Sequence, residues 1–215
     1  MENSPILQFF DRKSNRFYKL HKTGDLPCLE ISGIKMHCVK IGVKKSATAM
    51  ASQLSPLQGI ILDTCGGLGY TAIRLAQSPR VKEVRVFEID LNVIEIAKQN
   101  PDSKELFSNP KIILKNESSF DSIKSFPDAS FDRILHDPPR FSLAGELYGQ
   151  EFYNELFRVL KPNSILFHYT GKAGEKSGKK FRAGIIRRLE EAGFKKIVWN
   201  ETAQGFRAEK QQKNP

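Results

Sequence analysis

From residue 59 onward, short apolar segments alternate with amphipathic ones along the chain. Apolar runs of the length of buried strands occupy residues 60–62, 83–87, 112–114, 131–135, 164–169, 195–199 and 203–207. Between them, apolar positions spaced three or four residues apart predict helices over residues 70–77, 92–99, 149–160 and 181–192. Strands that alternate with helices lie mostly parallel, because parallel neighbours need a crossover connection. The pattern predicts a Rossmann-like α/β fold with a mostly parallel seven-stranded sheet and helices on both faces.

The first 55 residues lack this alternation. Two β-prone runs flank Ser32-Gly33, which predicts a small N-terminal β-hairpin, and a basic, aromatic stretch precedes it. A short helix is predicted over residues 46–54, capped by Ser46. We therefore divide the chain into an N-terminal extension, residues 1–55, and a main α/β domain, residues 56–215.

Composition narrows the class of protein. No apolar run approaches the roughly 20 residues that cross a bilayer, and the first residues lack the pattern of a signal peptide, so we expect a cytoplasmic protein without a membrane partner. The three cysteines, Cys28, Cys38 and Cys65, show no CxxC spacing and no nearby cluster of ligands. Neither a metal site nor a disulfide framework is therefore indicated.

Basic residues outnumber acidic ones by 34 to 24, which gives a formal charge of +10. Such an excess attracts polyanions, although the same charge can serve solubility alone. Directly after the predicted fifth strand the basic residues are concentrated, and this segment is predicted to contact RNA or DNA. Its proposed phosphate contacts are Lys172, Lys176, Lys179, Lys180 and Arg182.

The first strand of the main domain ends at Asp63 and runs into a glycine-rich turn. Glycines there let a ligand approach the backbone closely. Residues 67–72 also fit the dinucleotide pattern GxGxxA, with Glu88 at nearly the distance of a ribose ligand. Asp63 favours a ligand with an amino-acid group over a dinucleotide. A carboxylate repels a dinucleotide phosphate and attracts the ammonium of an amino acid.

The second strand ends in Glu88-Ile89-Asp90. A carboxylate at a strand tip can accept hydrogen bonds from both hydroxyls of a ribose, and we assign that role to Glu88. Asp90 is interpreted as an acid that favours the dipole of the helix that follows.

These motifs resemble those of class I methyltransferases, with Cys65 in the place of the first glycine of the turn. The resemblance implies that residues 56–215 bind S-adenosylmethionine. The resemblance also implies that an acid or an amide contacts the adenine, and Asn116 or Glu117 would do so here. A loop acid that is exposed to solvent would give the same sequence pattern. The implied cofactor-binding residues are Asp63, Cys65, Gly67, Gly69, Tyr70, Thr71, Glu88, Ile89, Asn116, Glu117 and Asp137.

The fourth strand ends in Asp-Pro-Pro. The carboxylate and a backbone carbonyl there can face one donor group, since prolines carry no N–H. The segment resembles the (Asp/Asn/Ser)-Pro-Pro-(Tyr/Phe/Trp) motif of methyltransferases that act on amines, with Arg140 at the aromatic position and Phe141 next to it. His136 is predicted to be a hydrogen-bonded core histidine. The implied catalytic residues are Asp137, Pro138, Pro139, Arg140 and Phe141.

Three hypotheses follow for the function. The first is transfer of a methyl group to a nitrogen, on RNA or DNA, and the motifs look most like a group of predicted archaeal-type methyltransferases. The second is an aminopropyltransferase similar to spermidine synthase, which shares the fold and a Glu-Ile-Asp segment. A paired-acid polyamine pocket is expected there, whereas the segment around Asp137 offers one acid. The third is a nucleic-acid-binding protein with a vestigial pocket, which the presence of Asp63, Glu88 and Asp137 disfavours.

Overall fold

Two β-sheets form the framework of the molecule. The computed structural model describes residues 7–171 and 175–212, and within these ranges the smaller sheet has four antiparallel strands in the order β1-β2-β3-β4. Its strands are β1 (Leu7–Asp11), β2 (Arg16–His21), β3 (Cys28–Ile31) and β4 (Ile34–Lys35).

The larger sheet has seven strands in the order β10-β11-β9-β8-β5-β6-β7. The five strands from β9 to β7 in this order run parallel, and β11 is antiparallel to both of its neighbours. The predicted α/β fold with a mostly parallel seven-stranded sheet is therefore confirmed. The strands are β5 (Gly59–Asp63), β6 (Val81–Phe87), β7 (Ile112–Lys115), β8 (Phe131–His136), β9 (Leu160–Tyr169), β10 (Lys195–Asn200) and β11 (Gly205–Lys210).

Helices cover both faces of the larger sheet, and two separate hydrophobic clusters mark the two faces. One cluster joins residues of the first four helices to the small sheet, and the other is built around the last two helices. The helices are α1 (Val43–Ser52), α2 (Tyr70–Ala76), α3 (Leu91–Gln99), α4 (Lys104–Ser108), α5 (Ser119–Ser122), α6 (Gln150–Val159) and α7 (Glu175–Ala192).

The N-terminal extension is larger than a hairpin. The predicted turn is present, with Ser32 and Gly33 both in the left-handed region at φ 47° and 82°. The strands β1 and β2 add to it, and the wholly buried side chain of Tyr18 on β2 joins the core shared with the larger sheet. The extension is therefore packed against the main domain.

The first helix begins earlier than predicted. Ser46 is buried inside α1 and does not cap it. Instead, the carboxylate of Asp25 accepts hydrogen bonds from the backbone N–H groups of Val43 and Lys44 at 3.1 and 2.9 Å. This acid satisfies two of the unpaired donors that every helix start presents. Within the described ranges, no helix combines the length and apolar character needed to cross a bilayer.

Candidate functional site

Four polar side chains lie in a row where neighbouring parallel strands end. Glu88 follows β6, Asp63 ends β5, Asp137 follows β8 and Tyr169 ends β9. These strands are consecutive neighbours in the sheet. Because adjacent strands lie about 4.8 Å apart, the row from Glu88 to Asp137 spans about 10 Å. This carboxyl edge is where open α/β sheets bind their ligands.

The glycine-rich turn between β5 and α2 leaves an open face beside Glu88. Gly69 has φ 81°, and a Cβ there would meet the side chain of Leu106 at 2.7 Å. Gly67 has φ 52°, and no described atom lies within 4 Å of the position its Cβ would take. Close packing therefore requires glycine at Gly69, whereas Gly67 borders free space that a ligand can enter.

Glu88 is a fixed, half-buried carboxylate. One of its oxygens accepts a hydrogen bond from the N–H of Gly67 at 2.9 Å, and the other accepts one from the N–H of Asp90 at 2.8 Å. Burial raises the pKa of Glu88, and these two hydrogen bonds oppose that shift. Each oxygen has a second lone pair, so the carboxylate can still accept bonds from two hydroxyls.

Asp90 caps α3, as predicted for a helix-start acid. Its carboxylate accepts a hydrogen bond from the N–H of Asn92 at 3.0 Å. Its other oxygen accepts a hydrogen bond from the hydroxyl of Tyr18 at 2.7 Å. This bond links the N-terminal sheet to the loop that carries Glu88.

Asp63 lies wholly buried beneath the turn. Its carboxylate accepts hydrogen bonds from the hydroxyl of Thr71 at 2.9 Å and from the N–H of Cys65 at 3.4 Å. Burial, and to a smaller extent the nearby Glu88, raises the pKa of Asp63 to about 7, while its two hydrogen bonds oppose the shift. Thr71 therefore acts on the site through Asp63, and the ammonium contact of Asp63 stays a prediction.

Asp137 is the carboxylate most available to a ligand. It is half-buried, and no hydrogen bond or ion pair with any described residue engages it. Burial, and then Asp63, raises the pKa of Asp137 to about 8. A buried carboxyl group without a partner favours a bound cation or N–H donor. The loop after it is held by the hydroxyl of Tyr148, which donates to the carbonyl of Pro139 at 2.9 Å.

His136 is a core histidine, as predicted. Its Nε2 lies 3.0 Å from the carbonyl of Leu147, which can only accept, so Nε2 carries the proton. Its Nδ1 then accepts the hydroxyl of Thr64 at 2.8 Å. Burial holds the pKa of His136 well below its usual value, so the ring is a neutral anchor for the neighbouring Asp137.

The predicted adenine contacts lie beside the row of acids. The amide of Asn116 donates to the carbonyls of Glu88 and Ile89 at 2.8 and 3.1 Å, so its nitrogen holds the loop after β6. Ile89 is 69% exposed and offers an apolar surface there. Glu117 accepts the hydroxyl of Ser122. Adenine binding by these residues stays a prediction.

The remaining residues of the predicted cofactor site are internal to the fold. The hydroxyl of Tyr70 donates to the carbonyl of Pro27 at 3.0 Å, so it is directed to the extension. Burial, and then Glu88, raises the pKa of Cys65, which keeps its thiol protonated. Any ligand contact of these two residues is therefore expected from their backbone.

An aromatic group lies beyond Asp137. The ring of Phe141, which is 54% exposed, contacts Tyr148 and Phe181 with centroid distances of 5.6 and 6.1 Å. Arg140 is exposed. The sequence analysis missed Tyr148 and Tyr169, although Tyr169 ends a parallel strand and the rule that found Asp63 could have found it.

The basic segment is described in part. Lys172 lies outside the described residues, as do the side chains of Lys176 and Lys179. Lys180 is exposed, whereas the guanidinium of Arg182 stacks on Trp199 at 3.7 Å from the ring centroid. Nucleic-acid binding by this segment stays a proposal.

Acids at adjacent strand tips beside an open glycine turn are typical of α/β proteins that bind nucleosides. The spermine/spermidine synthase domain matches residues 48–178, and the chain belongs to that family. It is 46% identical over 201 residues to an uncharacterised protein of Methanocaldococcus jannaschii, a match that covers 92% of this chain and 68% of the relative.

Other similar proteins carry the names of aminopropyltransferases. Polyamine aminopropyltransferase 2 of Streptomyces coelicolor is 29% identical over 112 residues, which are 49% of this chain and 20% of that protein. The structure of a spermidine synthase in complex with the transition-state analogue AdoDATO has a TM-score of 0.75 at 17% identity and covers 95% of this chain and 72% of that one. At this identity the likeness shows the fold alone. The chain spans between 20% and 34% of the curated aminopropyltransferases it matches.

The prediction of a methyltransferase is wrong. The matching family is that of the spermine and spermidine synthases, and most of the named relatives are aminopropyltransferases. The similarity to archaeal-type methyltransferases through Asp-Pro-Pro-Arg is not supported. The resemblance holds for the fold, since a putative S-adenosylmethionine-dependent methyltransferase of Methanococcus maripaludis has a TM-score of 0.53 at 18% identity, over 80% of this chain and 86% of that one. Of the three hypotheses, the second is the one that the family supports.

Proposed function

We propose that this protein transfers an aminopropyl group from decarboxylated S-adenosylmethionine to an amine. Membership of the spermine/spermidine synthase domain family supports this reaction class. The observation that carries the proposal is Asp137, a half-buried carboxylate without a described partner at the centre of the carboxyl edge.

The charge of the site fits this donor better than S-adenosylmethionine itself. The decarboxylated form carries a sulfonium and an ammonium, whereas S-adenosylmethionine adds a carboxylate to the same end. Burial, and then the nearby Asp63, raises the pKa of Asp137 to about 8. A third carboxylate beside them is unfavourable, and a dication relieves the repulsion.

The positions of the side chains support the following roles along the edge. Glu88 would bind the ribose hydroxyls, with the nucleoside against the open face of Gly67 and the exposed side chain of Ile89. Asp137 would lie about 10 Å further along the edge, at the reacting end. Bound decarboxylated S-adenosylmethionine supplies an aminopropyl carbon that its sulfonium activates.

Asp137 would orient the acceptor. Its carboxylate accepts a hydrogen bond from the acceptor nitrogen and directs the lone pair of that nitrogen at the aminopropyl carbon. A new C–N bond forms as the C–S bond breaks, and methylthioadenosine leaves with the electron pair. The nitrogen then loses a proton, and a carboxyl group with a pKa of about 8 can accept it near neutral pH.

A turnover assay tests the proposal. The protein is incubated with decarboxylated S-adenosylmethionine and a panel of amines, and methylthioadenosine is measured by liquid chromatography. We expect amine-dependent release from the wild type, a loss of at least ~100-fold in Asp137→Asn and no loss in Asp121→Asn, which changes an exposed acid on α5. The absence of release with every amine would refute the proposal.

A further inference from the structure

A second concave site lies on the larger sheet, away from the row of acids. It is a cavity of about 370 Å³ just after the end of α1, and its wall includes Ser55, Arg133, Lys196 and Arg207. Arg133 lies on β8 four residues before Asp137, which corresponds to about 13 Å along the strand. The cavity is therefore separate from the carboxyl edge.

The sheet brings the charged residues of this cavity to one face. Arg133 is in register with Ile61 on β5 and Ile165 on β9, and both isoleucines belong to the hydrophobic cluster that includes the small sheet. On β11, Glu209 is in register with Ile165, so it lies on the same face. Arg207 shares that face, because residues two apart on a strand point to the same side.

Arg133 is a buried cation with unused hydrogen-bond donors. It is 5% exposed, and its Nε and Nη1 donate to the carbonyls of Leu54 and Asp132 at 2.8 and 2.6 Å. Its Nη2 carries two more N–H groups and donates to no described acceptor. The carboxylate of Asp132 is engaged elsewhere, by Lys161 and by the N–H of Ile60, each at 2.8 Å. A buried guanidinium in this state favours an anion beside it.

Positive charge predominates among the described residues that line the cavity. The acid Glu209 is already engaged by two cations, Arg207 at 2.7 Å and Lys196 at 3.0 Å. Burial lowers the pKa of Arg133, Asp132 opposes that shift, and Arg207 adds to it. A dianion between the two guanidinium groups would relieve their repulsion.

The size and the wall of the cavity indicate the kind of anion. Arginine donates paired N–H groups that match the oxygens of a phosphate. The volume exceeds what one phosphate group needs and falls within the range of about 300–1,000 Å³ that small-molecule sites occupy. Ser55, Asn163 and Gln211 add polar side chains to the wall, which suit hydroxyl groups better than an apolar body.

We propose that this cavity binds a small sugar phosphate, with the phosphate group between Arg133 and Arg207. The phosphate oxygens accept hydrogen bonds from Nη2 of Arg133 and from the guanidinium of Arg207, and the sugar hydroxyls contact the polar part of the wall. The site shares no residue with the row of acids, so it does not depend on the proposed aminopropyl transfer.

Calorimetric titration of the full chain with ribose 5-phosphate tests the proposal. At about 0.15 M salt we expect a Kd below ~1 mM, with binding of inorganic phosphate and of ribose weaker by at least ~10-fold. Inorganic phosphate that binds as tightly as ribose 5-phosphate would overturn the assignment of a sugar phosphate. The absence of ribose 5-phosphate binding would overturn the site itself.

A pair of arginine variants locates the binding. Arg207→Gln removes one of the two cations at a side chain that is partly exposed, and we expect the Kd for ribose 5-phosphate to rise by at least ~10-fold. Arg187→Gln is the matched control, because this exposed arginine lies on α7, which packs on the other face of the sheet. Equal losses in the two variants would show that net charge, and not this cavity, attracts the ligand.

Thermal unfolding gives a readout for the buried arginine. A ligand that binds only the folded state raises Tm, so ribose 5-phosphate at about ten times its Kd should stabilise the wild type. Arg133→Met removes the charge and keeps a long side chain, and we expect the ligand to leave its Tm unchanged. A rise as large as in the wild type would overturn the role of Arg133. Arg207→Gln in the same assay should show a smaller rise than the wild type, which keeps the test decisive if Arg133→Met does not fold.

Discussion

Substitution of Glu88 by Gln should weaken nucleoside binding more than it weakens the fold. Both oxygens of Glu88 accept backbone N–H groups, from Gly67 at 2.9 Å and from Asp90 at 2.8 Å. In the variant the amide nitrogen must face one of these donors, so one hydrogen bond is lost, at a cost of about 1–3 kcal/mol. The loss of a carboxylate that burial disfavours offsets part of this cost in folding.

In nucleoside binding, no comparable gain offsets the loss of the charged acceptor. A hydrogen bond to a charged acceptor contributes about 1.5–3 kcal/mol, which predicts a loss of about 10- to 150-fold in affinity for methylthioadenosine. Calorimetry measures the affinity, and thermal unfolding measures the fold. Glu95→Gln is the control, because this exposed acid on α3 pairs with Lys98 along the helix. Equal affinities in Glu88→Gln and Glu95→Gln would refute the assignment of the ribose acid.

Three further predictions follow from the contacts around the acids. Tyr18→Phe removes a hydroxyl that lies 2.7 Å from the carboxylate of Asp90, and Asp90 donates its N–H to Glu88. The variant should therefore weaken methylthioadenosine binding a few-fold in the same calorimetric assay. Unchanged binding would contradict this link. Asp137→Asn should lower kcat while methylthioadenosine affinity is retained, and a proportional loss of affinity would contradict its placement at the reacting end. Burial raises the pKa of Asp63 to about 7 and that of Asp137 to about 8, each from 3.8, so the folded protein holds protons that the unfolded chain has released. The free energy of unfolding should therefore fall between about pH 4 and pH 8, and urea titrations should find a shallower fall in Asp137→Asn.

The main domain could be predicted because its signals are local in the sequence. Each parallel strand is a short apolar run, and the acids directly after these runs fall on one edge by the geometry of parallel sheets. The positions of Glu88 and Asp137 follow from this rule alone. Tyr169 follows from it too, but an aromatic residue carries no chemical signal comparable to that of a carboxylate.

Contacts between distant segments could not be predicted in this way. Asp25 caps α1 from 18 residues before Val43, and Tyr18 reaches Asp90 across 72 residues. The strand β2 contains basic residues between its apolar ones, and the burial of β1 and β2 depends on the core that they share with the main domain.

The reaction could not be predicted from the motifs because two reactions share them. An acid at each strand tip beside a glycine turn suits the adenosine of either donor, and the two donors differ by a single carboxylate. The Asp-Pro-Pro segment orients an amine equally well for transfer of a methyl or an aminopropyl group.

A competition between the two donors tests the central claim most directly. The protein is incubated with equal concentrations of S-adenosylmethionine and its decarboxylated form in the presence of the same panel of amines, and the amine products are identified by mass spectrometry. The account predicts that the modified amine carries an aminopropyl group and that the nucleoside product is methylthioadenosine. A methylated amine together with S-adenosylhomocysteine would contradict it.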